Sequence, residues 1–142
     1  MEQETREFPQ LPNIRILKKL GAGGMSEVYL GIQEKLHRRV AVKILKPELV
    51  KNPEFAERFL IEARTAAKLN HPNILTIFDV NEHEEYNYIV MEFLEDTLYH
   101  KIRRSTGNKL PEDYTLDIAL QLTNALIYAH GAPCIAPRTR PA

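Results

Sequence analysis

Residues 20–29 read Leu-Gly-Ala-Gly-Gly-Met-Ser-Glu-Val-Tyr, and residues 40–43 read Val-Ala-Val-Lys. Glycines at the tip of a hairpin let backbone N–H groups close around an anion, because no Cβ holds the anion off. Lys43, on the next predicted strand, supplies a fixed cation a short reach away. Together the two segments predict a clamp for phosphate groups.

Composition describes an ordinary soluble globular chain. Its 142 residues suffice for one domain with a core, and 44% are apolar and 27% charged. The 19 lysines and arginines balance the 19 aspartates and glutamates, so no net field favours nucleic acid or an anionic membrane as partner.

Cysteine count and hydropathy exclude several further classes. Cys134 is the only cysteine, so an internal disulfide and a thiol-based metal cluster are excluded. No apolar stretch reaches the ~20 residues of a membrane span, and the polar start is no signal peptide. We therefore expect a cytoplasmic protein.

Five short apolar segments predict strands, because their length and β-branched content favour strand over buried helix. They cover residues 14–21, 27–32, 39–45, 75–80 and 87–93. Helical patterns cover 53–69, a stretch near 97–104, and 111–130. The predicted fold class is α+β: a five-stranded antiparallel sheet with one flanking helix, followed by the first helices of a second lobe.

The chain divides by pattern into four ranges. Residues 1–13 are a polar arm broken by two prolines, 14–94 hold the strands and the phosphate clamp, 95–130 are helical, and 131–142 form a tail rich in Pro, Arg and Ala.

The helix predicted for residues 53–69 starts with a proline in its first turn. At about 100° per residue, Glu62 falls in the middle of an apolar stripe. The stripe consists of Phe55, Phe59, Ala66 and Leu69. A carboxylate on a core-facing stripe needs a cation, and Lys43 is the candidate. The alternative is that Lys43 snorkels from its strand and Glu62 lies at a helix edge; the glycine turn upstream favours the pair.

These segments resemble the N-terminal lobe of the protein kinase family. The resemblance is carried by the glycine turn, by Val-Ala-Val-Lys at 40–43 and by Glu-Ala-Arg at 62–64. Leu-Asn-His-Pro-Asn-Ile at 69–74 resembles the family's helix-to-strand corner, and Tyr-Ile-Val-Met-Glu-Phe-Leu at 88–94 its interlobe hinge. The segment Gly-Gly-Met-Ser-Glu-Val-Tyr is similar to the corresponding segment of bacterial serine/threonine kinases. Five pieces in order, within residues 14–130, make the signal specific.

The resemblance implies ATP-dependent phosphorylation of serine or threonine on protein substrates, with ATP as cofactor and Mg²⁺ in an intact relative. It implies that Leu20 and Val28 sandwich the adenine beside Ala41, and that Lys43, oriented by Glu62, pairs with the α- and β-phosphates. Met91 would guard the back pocket. The implied nucleotide-binding set is Leu20, Gly21, Ala22, Gly23, Gly24, Met25, Ser26, Glu27, Val28, Ala41, Lys43, Glu62, Glu92 and Leu94.

Backbone groups carry part of this implied site. The N–H groups of Gly21 to Ser26 would cover the phosphates, while the Glu92 carbonyl and the Leu94 N–H would bond the adenine edge. Ser26 replaces the family's third glycine, which predicts altered phosphate cover. The segment after Leu94 is one residue short of the usual hinge exit.

Catalytic and metal-binding residues are not predicted. In kinases, a helix resembling 111–130 is followed by a loop with His-Arg-Asp and an Asn, and then by a magnesium-binding Asp-Phe-Gly. Here residues 131–142 read Gly-Ala-Pro-Cys-Ile-Ala-Pro-Arg-Thr-Arg-Pro-Ala. His71 and His83 have no partners at zinc-ligand spacing. We therefore expect this chain alone to be inactive. The hypothesis for residues 131–142 is that the gene is truncated or that its reading frame slips near Gly131, and the alternative is a short natural disordered tail.

The alternative function is a non-catalytic nucleotide-binding or protein-interaction module, and a third possibility is a decayed gene. Helix 111–130 carries one polar strip, and leucine, isoleucine and alanine cover its other sides. The strip consists of Asp117, Gln121, Asn124 and Tyr128. A helix this apolar is normally buried on several sides, so we expect it to pack against further protein.

Overall fold

The five predicted strands form one antiparallel sheet in the computed structural model, which describes residues 8–132. The predicted features at residues 1–7 and 133–142, including Cys134 and most of the tail, lie outside the described residues. The strands are β1 (Ile14–Ala22), β2 (Ser26–Gln33), β3 (Arg38–Leu45), β4 (Ile77–His83) and β5 (Tyr86–Glu92). Their order across the sheet is β1-β2-β3-β5-β4.

Within residues 8–132, four α-helices accompany the sheet: α1 (Pro47–Val50), α2 (Pro53–Ala66), α3 (Leu98–Arg104) and α4 (Glu112–Gly131). Short 3₁₀ turns lie at Glu34–Leu36 and Thr106–Asn108. The described chain divides into two units, one running through Arg64 and including Ile77–Phe93, the other holding Thr65–Thr76 and the residues from Leu94 onward. Among residues 8–132, none of the helices has the length and hydropathy needed to cross a bilayer.

A cluster of buried residues lies on one face of the sheet in the first unit, and Leu45 is fully buried on the other face. Val40 and Val42 are fully buried at the centre of β3, and Ile44 and Val90 are nearly so. The cluster comprises Leu11, Ile14, Ile16, Tyr29, Val40, Val42, Ile44, Tyr88 and Val90. Leu11 belongs to it, and the Phe8 ring meets the Tyr29 ring edge-on at 6.2 Å. The end of the predicted polar arm therefore packs on the sheet.

Helix α2 buries a different side from the predicted stripe. Leu60 and Ala63 are its buried residues, whereas Phe55 is 37% exposed and the Glu62 side chain 68% exposed. The predicted core-facing position of Glu62 is therefore wrong. The large phenylalanines define the apolar stripe of the sequence, but a small residue such as Ala63 permits close approach of a helix to its neighbours, and the buried side of α2 includes it.

The second unit packs through the polar strip of α4. The backbone N–H of Asn70 donates to Tyr128 Oη at 3.0 Å, and Asn73 Nδ2 donates to Gln121 Oε1 at 3.2 Å. The rings of His71 and Tyr128 lie 5.1 Å apart. The large apolar side chains of α4 are instead more than half exposed within the described residues; they are Leu116, Leu120, Leu122, Leu126 and Ile127.

Helix α3 begins one residue later than the predicted stretch near 97–104. Thr97 is its N-cap, and the Thr97 hydroxyl accepts the His100 N–H at 3.2 Å. Asp96 accepts the Thr97 N–H at 2.8 Å and also contacts Arg104, so the segment entering the helix is held by side-chain contacts. The Thr97 N–H, followed by Arg104, keeps the pKa of Asp96 below its ordinary value.

The β4–β5 hairpin gives a test of backbone conformation. His83 pairs with Tyr86, so Glu84 and Glu85 form a two-residue turn, and Glu84 has a φ of 52°. Because this region is unfavourable for residues with a Cβ, we expect Glu84→Gly to raise the free energy of unfolding by about 0.5–1 kcal/mol in urea titrations. Glu85→Gly, at the neighbouring position without positive φ, is the matched control and is expected to lower it. Equal effects of the two changes would contradict the assignment.

Candidate nucleotide-binding site

The glycine turn is the tip of the β1–β2 hairpin and is fixed at its base. Ala22 pairs with Glu27, and the Gly23 N–H donates to the Ser26 carbonyl at 2.8 Å. The Lys46 N–H donates to the Met25 carbonyl at 3.0 Å, which ties the tip to the residue after β3. Ser26 is the buried first residue of β2 and pairs with Leu45. The tip is thus held beside the end of the strand that carries Lys43.

Packing within the protein does not require the glycines of the turn. A Cβ at Gly21 or Gly24 would have no heavy atom within 4 Å, and one at Gly23 would meet the Ser26 carbonyl at an ordinary 3.7 Å. None of the three has a φ in the left-handed region. Space therefore remains on this side of the turn, as an approaching anion would need.

Strand register places the predicted nucleotide-facing side chains on one face of the sheet. Directly paired residues of antiparallel strands share a face. Lys43 pairs with Val28 on β2 and with Ile89 on β5, while Ala41 pairs with Met91. Val28, Ala41, Lys43 and Met91 therefore lie on the face opposite the buried valines of β3.

Leu20 lies at an irregularity of β1. The register shifts between the Lys19–Tyr29 and Gly21–Val28 pairs, so Leu20 is the extra residue of a bulge and is 42% exposed. A bulge re-aims its side chain relative to a regular strand, a placement that the sequence pattern did not predict.

A cavity of about 300 Å³ opens beside Lys43. Its lining residues are Met25, Ser26, Lys43, Phe55, Arg58, Phe59 and Glu62. The tip of the glycine turn, the strand lysine and the helix glutamate are therefore brought to one space. Arg58 is a member of this group that the sequence analysis missed; its position one helical turn before Glu62 was the available signal.

The ion pair expected between Lys43 and Glu62 is absent, and Glu62 binds Arg58 instead. Arg58 Nε lies 3.0 Å from Glu62 Oε1, and the two side chains are 65% and 68% exposed. A carboxylate in contact with water has no desolvation cost that a distant cation must offset, so the neighbour on the same helix suffices. Among residues 8–132, Lys43 has no carboxylate within ion-pair distance.

Glu27 faces away from this cavity. It pairs with Ile44, whose side chain belongs to the core cluster on the other face. Its carboxylate accepts Lys19 Nζ at 2.5 Å and Tyr29 Oη at 2.6 Å. The hydrogen bond from Lys19, followed by that from Tyr29, holds the pKa of Glu27 below its ordinary value. Any contact of Glu27 with a nucleotide would therefore be made by its backbone groups.

The two predicted hinge residues lie at the end of the sheet and just after it. Glu92 is the last residue of β5 and pairs with Val40. Leu94 follows Phe93, belongs to the second unit and is 55% exposed. Their predicted backbone contacts with adenine stay predictions.

The donors present fit a nucleotide better than a metal. A cation, a glycine turn and an apolar sheet face match the phosphates and base of ATP. Residues 8–132 hold no group of three or more His, Cys, Asp or Glu side chains placed to ligate an ion. They thus provide no ready donor set for Mg²⁺.

Comparison with known proteins identifies relatives over most of the chain. The family model described as protein kinase domain matches residues 14–136. A probable serine/threonine-protein kinase of Streptomyces coelicolor is 39% identical over 127 residues, covering 87% of this chain and 19% of the relative. Serine/threonine-protein kinase PrkC of Bacillus subtilis is 39% identical over 116 residues, covering 82% of this chain and 18% of the relative.

Solved structures agree with the fold. The crystal structure of the Mycobacterium tuberculosis PknI kinase domain matches with a TM-score of 0.66 and 30% identity, over 86% of this chain and 50% of that one. The chain thus spans about a fifth of the curated relatives named above and half of this kinase-domain chain.

The Glu27 cluster gives a pH-dependent test. A carboxyl whose folded-state pKa is lowered adds stability above its unfolded pKa, near 4.5, and this is lost as the pH falls through the folded value. We expect Glu27→Gln to lower the melting temperature by about 2–4 °C at pH 7, and the difference from wild type to vanish in acid below the folded pKa. Glu57→Gln, on the exposed side of α2, is the control. A constant difference at all pH values would contradict the prediction.

Proposed function

Because the chain belongs to the protein kinase domain family, we propose that it is the ATP-binding part of a serine/threonine protein kinase of bacterial type. The observation that carries this proposal is the cavity shared by Lys43 and the tip of the glycine turn. Relatives named as serine/threonine kinases supply the reaction class. Transfer of the ATP γ-phosphate to protein substrates is proposed for the longer kinases of this kind.

The phosphates and the faces of adenine have proposed contacts in the first unit. Val28 and Ala41 share a sheet face against which adenine packs, with Leu20 at the bulge beside it. The backbone N–H groups of Gly21 to Ser26 cover the phosphates. The Lys43 ammonium, which has no carboxylate partner among the described residues, pairs with the α- and β-phosphate oxygens. The Glu92 carbonyl and the Leu94 N–H bond the edge of the base.

Phosphoryl transfer needs groups that these 142 residues do not contain. The sequence has no His-Arg-Asp and no Asp-Phe-Gly motif, which in the family supply the catalytic base and hold Mg²⁺. Mg²⁺, when bound, neutralises charge on the phosphates. We propose that these 142 residues alone bind ATP in the cytoplasm without transferring phosphate.

A second candidate, a non-catalytic interaction module, is favoured by α4. Five of its large apolar side chains are more than half exposed in the described chain. Apolar surface of this extent marks contact with further protein. The two candidates differ in one property, since an interaction module of this kind need not be stabilised by ATP.

Replacing the strand lysine tests nucleotide binding. We expect Lys43→Met to weaken ATP binding about 10- to 100-fold in calorimetric titrations, because charge-assisted hydrogen bonds to the phosphates are lost. Lys51→Met, an exposed lysine just after α1, is the matched control and should bind like wild type. Equal affinities of the two variants, or no ATP binding by wild type, would overturn the proposed site.

A transfer assay tests the second part of the proposal. With radiolabelled ATP and Mg²⁺, we expect no label on a generic protein substrate above the buffer control. Saturating ATP should still stabilise the chain, by about 2.7 kcal/mol at one hundred times Kd. Phosphate transfer would refute the inactivity of these 142 residues. If ATP is neither turned over nor stabilises the chain, the interaction module is favoured.

A further inference from the structure

Three charged side chains line the cavity beside the glycine turn, and two of them are already paired. Glu62 is bound by Arg58, one turn earlier on α2, while Lys43 lines the same cavity. The Glu62 carboxylate thus borders a cavity that is also lined by two cations, Arg58 and Lys43. It can neutralise either, and in this structure it neutralises the one on its own helix.

The pair that forms is a weak one. An arginine placed four residues before a glutamate is the less favourable orientation on a helix, because it opposes the helix dipole. Both side chains are about two-thirds exposed, so water and salt screen their attraction. Side-chain rotation about staggered torsions lets Glu62 leave Arg58 without unfolding α2.

We propose that Arg58 is a positioning residue that holds Glu62 away from Lys43 and thereby lowers the affinity for nucleotide. This inference rests on the proposed ATP-binding function. A lysine side chain retains rotamer freedom that phosphate binding must remove. When Glu62 contacts the Lys43 ammonium, it restricts that rotamer freedom before the nucleotide arrives. The state with a Glu62–Lys43 contact therefore binds nucleotide more tightly. The fraction of molecules in which Arg58 holds Glu62 reduces the apparent affinity accordingly.

The walls of the cavity favour the movement of Glu62 from Arg58 to Lys43. Phe55 and Phe59 line it from α2 and Met25 from the glycine turn, so a carboxylate turned inward lies against apolar side chains. An ion pair in such surroundings is less screened than one facing solvent. Arg58, once released, still borders the same cavity.

The test compares the ATP dissociation constants of wild type and of four variants of the 142-residue chain. We expect Arg58→Gln to bind ATP about two- to threefold more tightly than wild type, the size set by a weak exposed ion pair. In a Glu62→Gln background the same substitution should have no effect, since no carboxylate remains to be released. Arg64→Gln, an exposed arginine on the same helix outside the cavity, is the matched control and should equal wild type.

The outcomes separate this inference from the proposed function. If wild type binds ATP and Arg58→Gln binds equally or more weakly, the positioning role is refuted while the nucleotide site stands. An unchanged gain in the Glu62→Gln background would also refute it, because the effect would not run through Glu62. If wild type binds no ATP, the proposed function fails and this inference with it. Circular dichroism spectra establish that all variants are folded.

Discussion

The position of Lys43 depends on the packing of the strand that carries it. Val40, Val42 and Ile44 fill the core on one face of the sheet, with exposures of 3% or less. Alternation along a strand then sends Ala41 and Lys43 to the other face. A slip of one residue would turn the ammonium toward this core and remove the valines from it, at a cost of up to about 1.5–3 kcal/mol for each apolar side chain left exposed. The same core therefore stabilises the sheet and fixes the cation.

Most strands could be predicted from the sequence, because β-branched residues in short runs leave few alternatives. The end of β4 could not: residues 81–83 are Asn-Glu-His, yet they pair with β5 through His83. This strand lies at the edge of the sheet, where polar side chains are tolerated. Helix α1, four residues long, is too short to show any periodicity. Sequence patterns thus identify strands that have a buried face. They miss a polar strand end that is paired with a neighbouring strand and a helix of a single turn.

The candidate site divides in the same way. The face shared by Val28, Ala41 and Lys43 follows from strand alternation and was predictable. The Lys43–Glu62 pair was inferred from a desolvation cost, and that cost disappears when the Glu62 side chain is 68% exposed. Which side of a helix faces inward depends on close packing around small residues such as Ala63, and hydropathy alone does not report this. Because Glu62 is not buried by packing, nothing in its surroundings requires Lys43 as a partner.

Helix α4 shows a related limit of hydropathy arguments. Its apolar sides were expected to pack against further protein, and within the described residues it is the polar strip that makes contacts, since Gln121 and Tyr128 form hydrogen bonds with residues 70–73. The turn at Asn70 presents a backbone N–H, which the Tyr128 hydroxyl accepts and a leucine could not. A half-buried position next to this turn therefore suits hydroxyl and amide groups, while the large leucines lie on the remaining sides. The hydrogen bonds of Gln121 and Tyr128, together with the burial of Ala125, therefore describe how α4 packs in this unit better than its apolar content does.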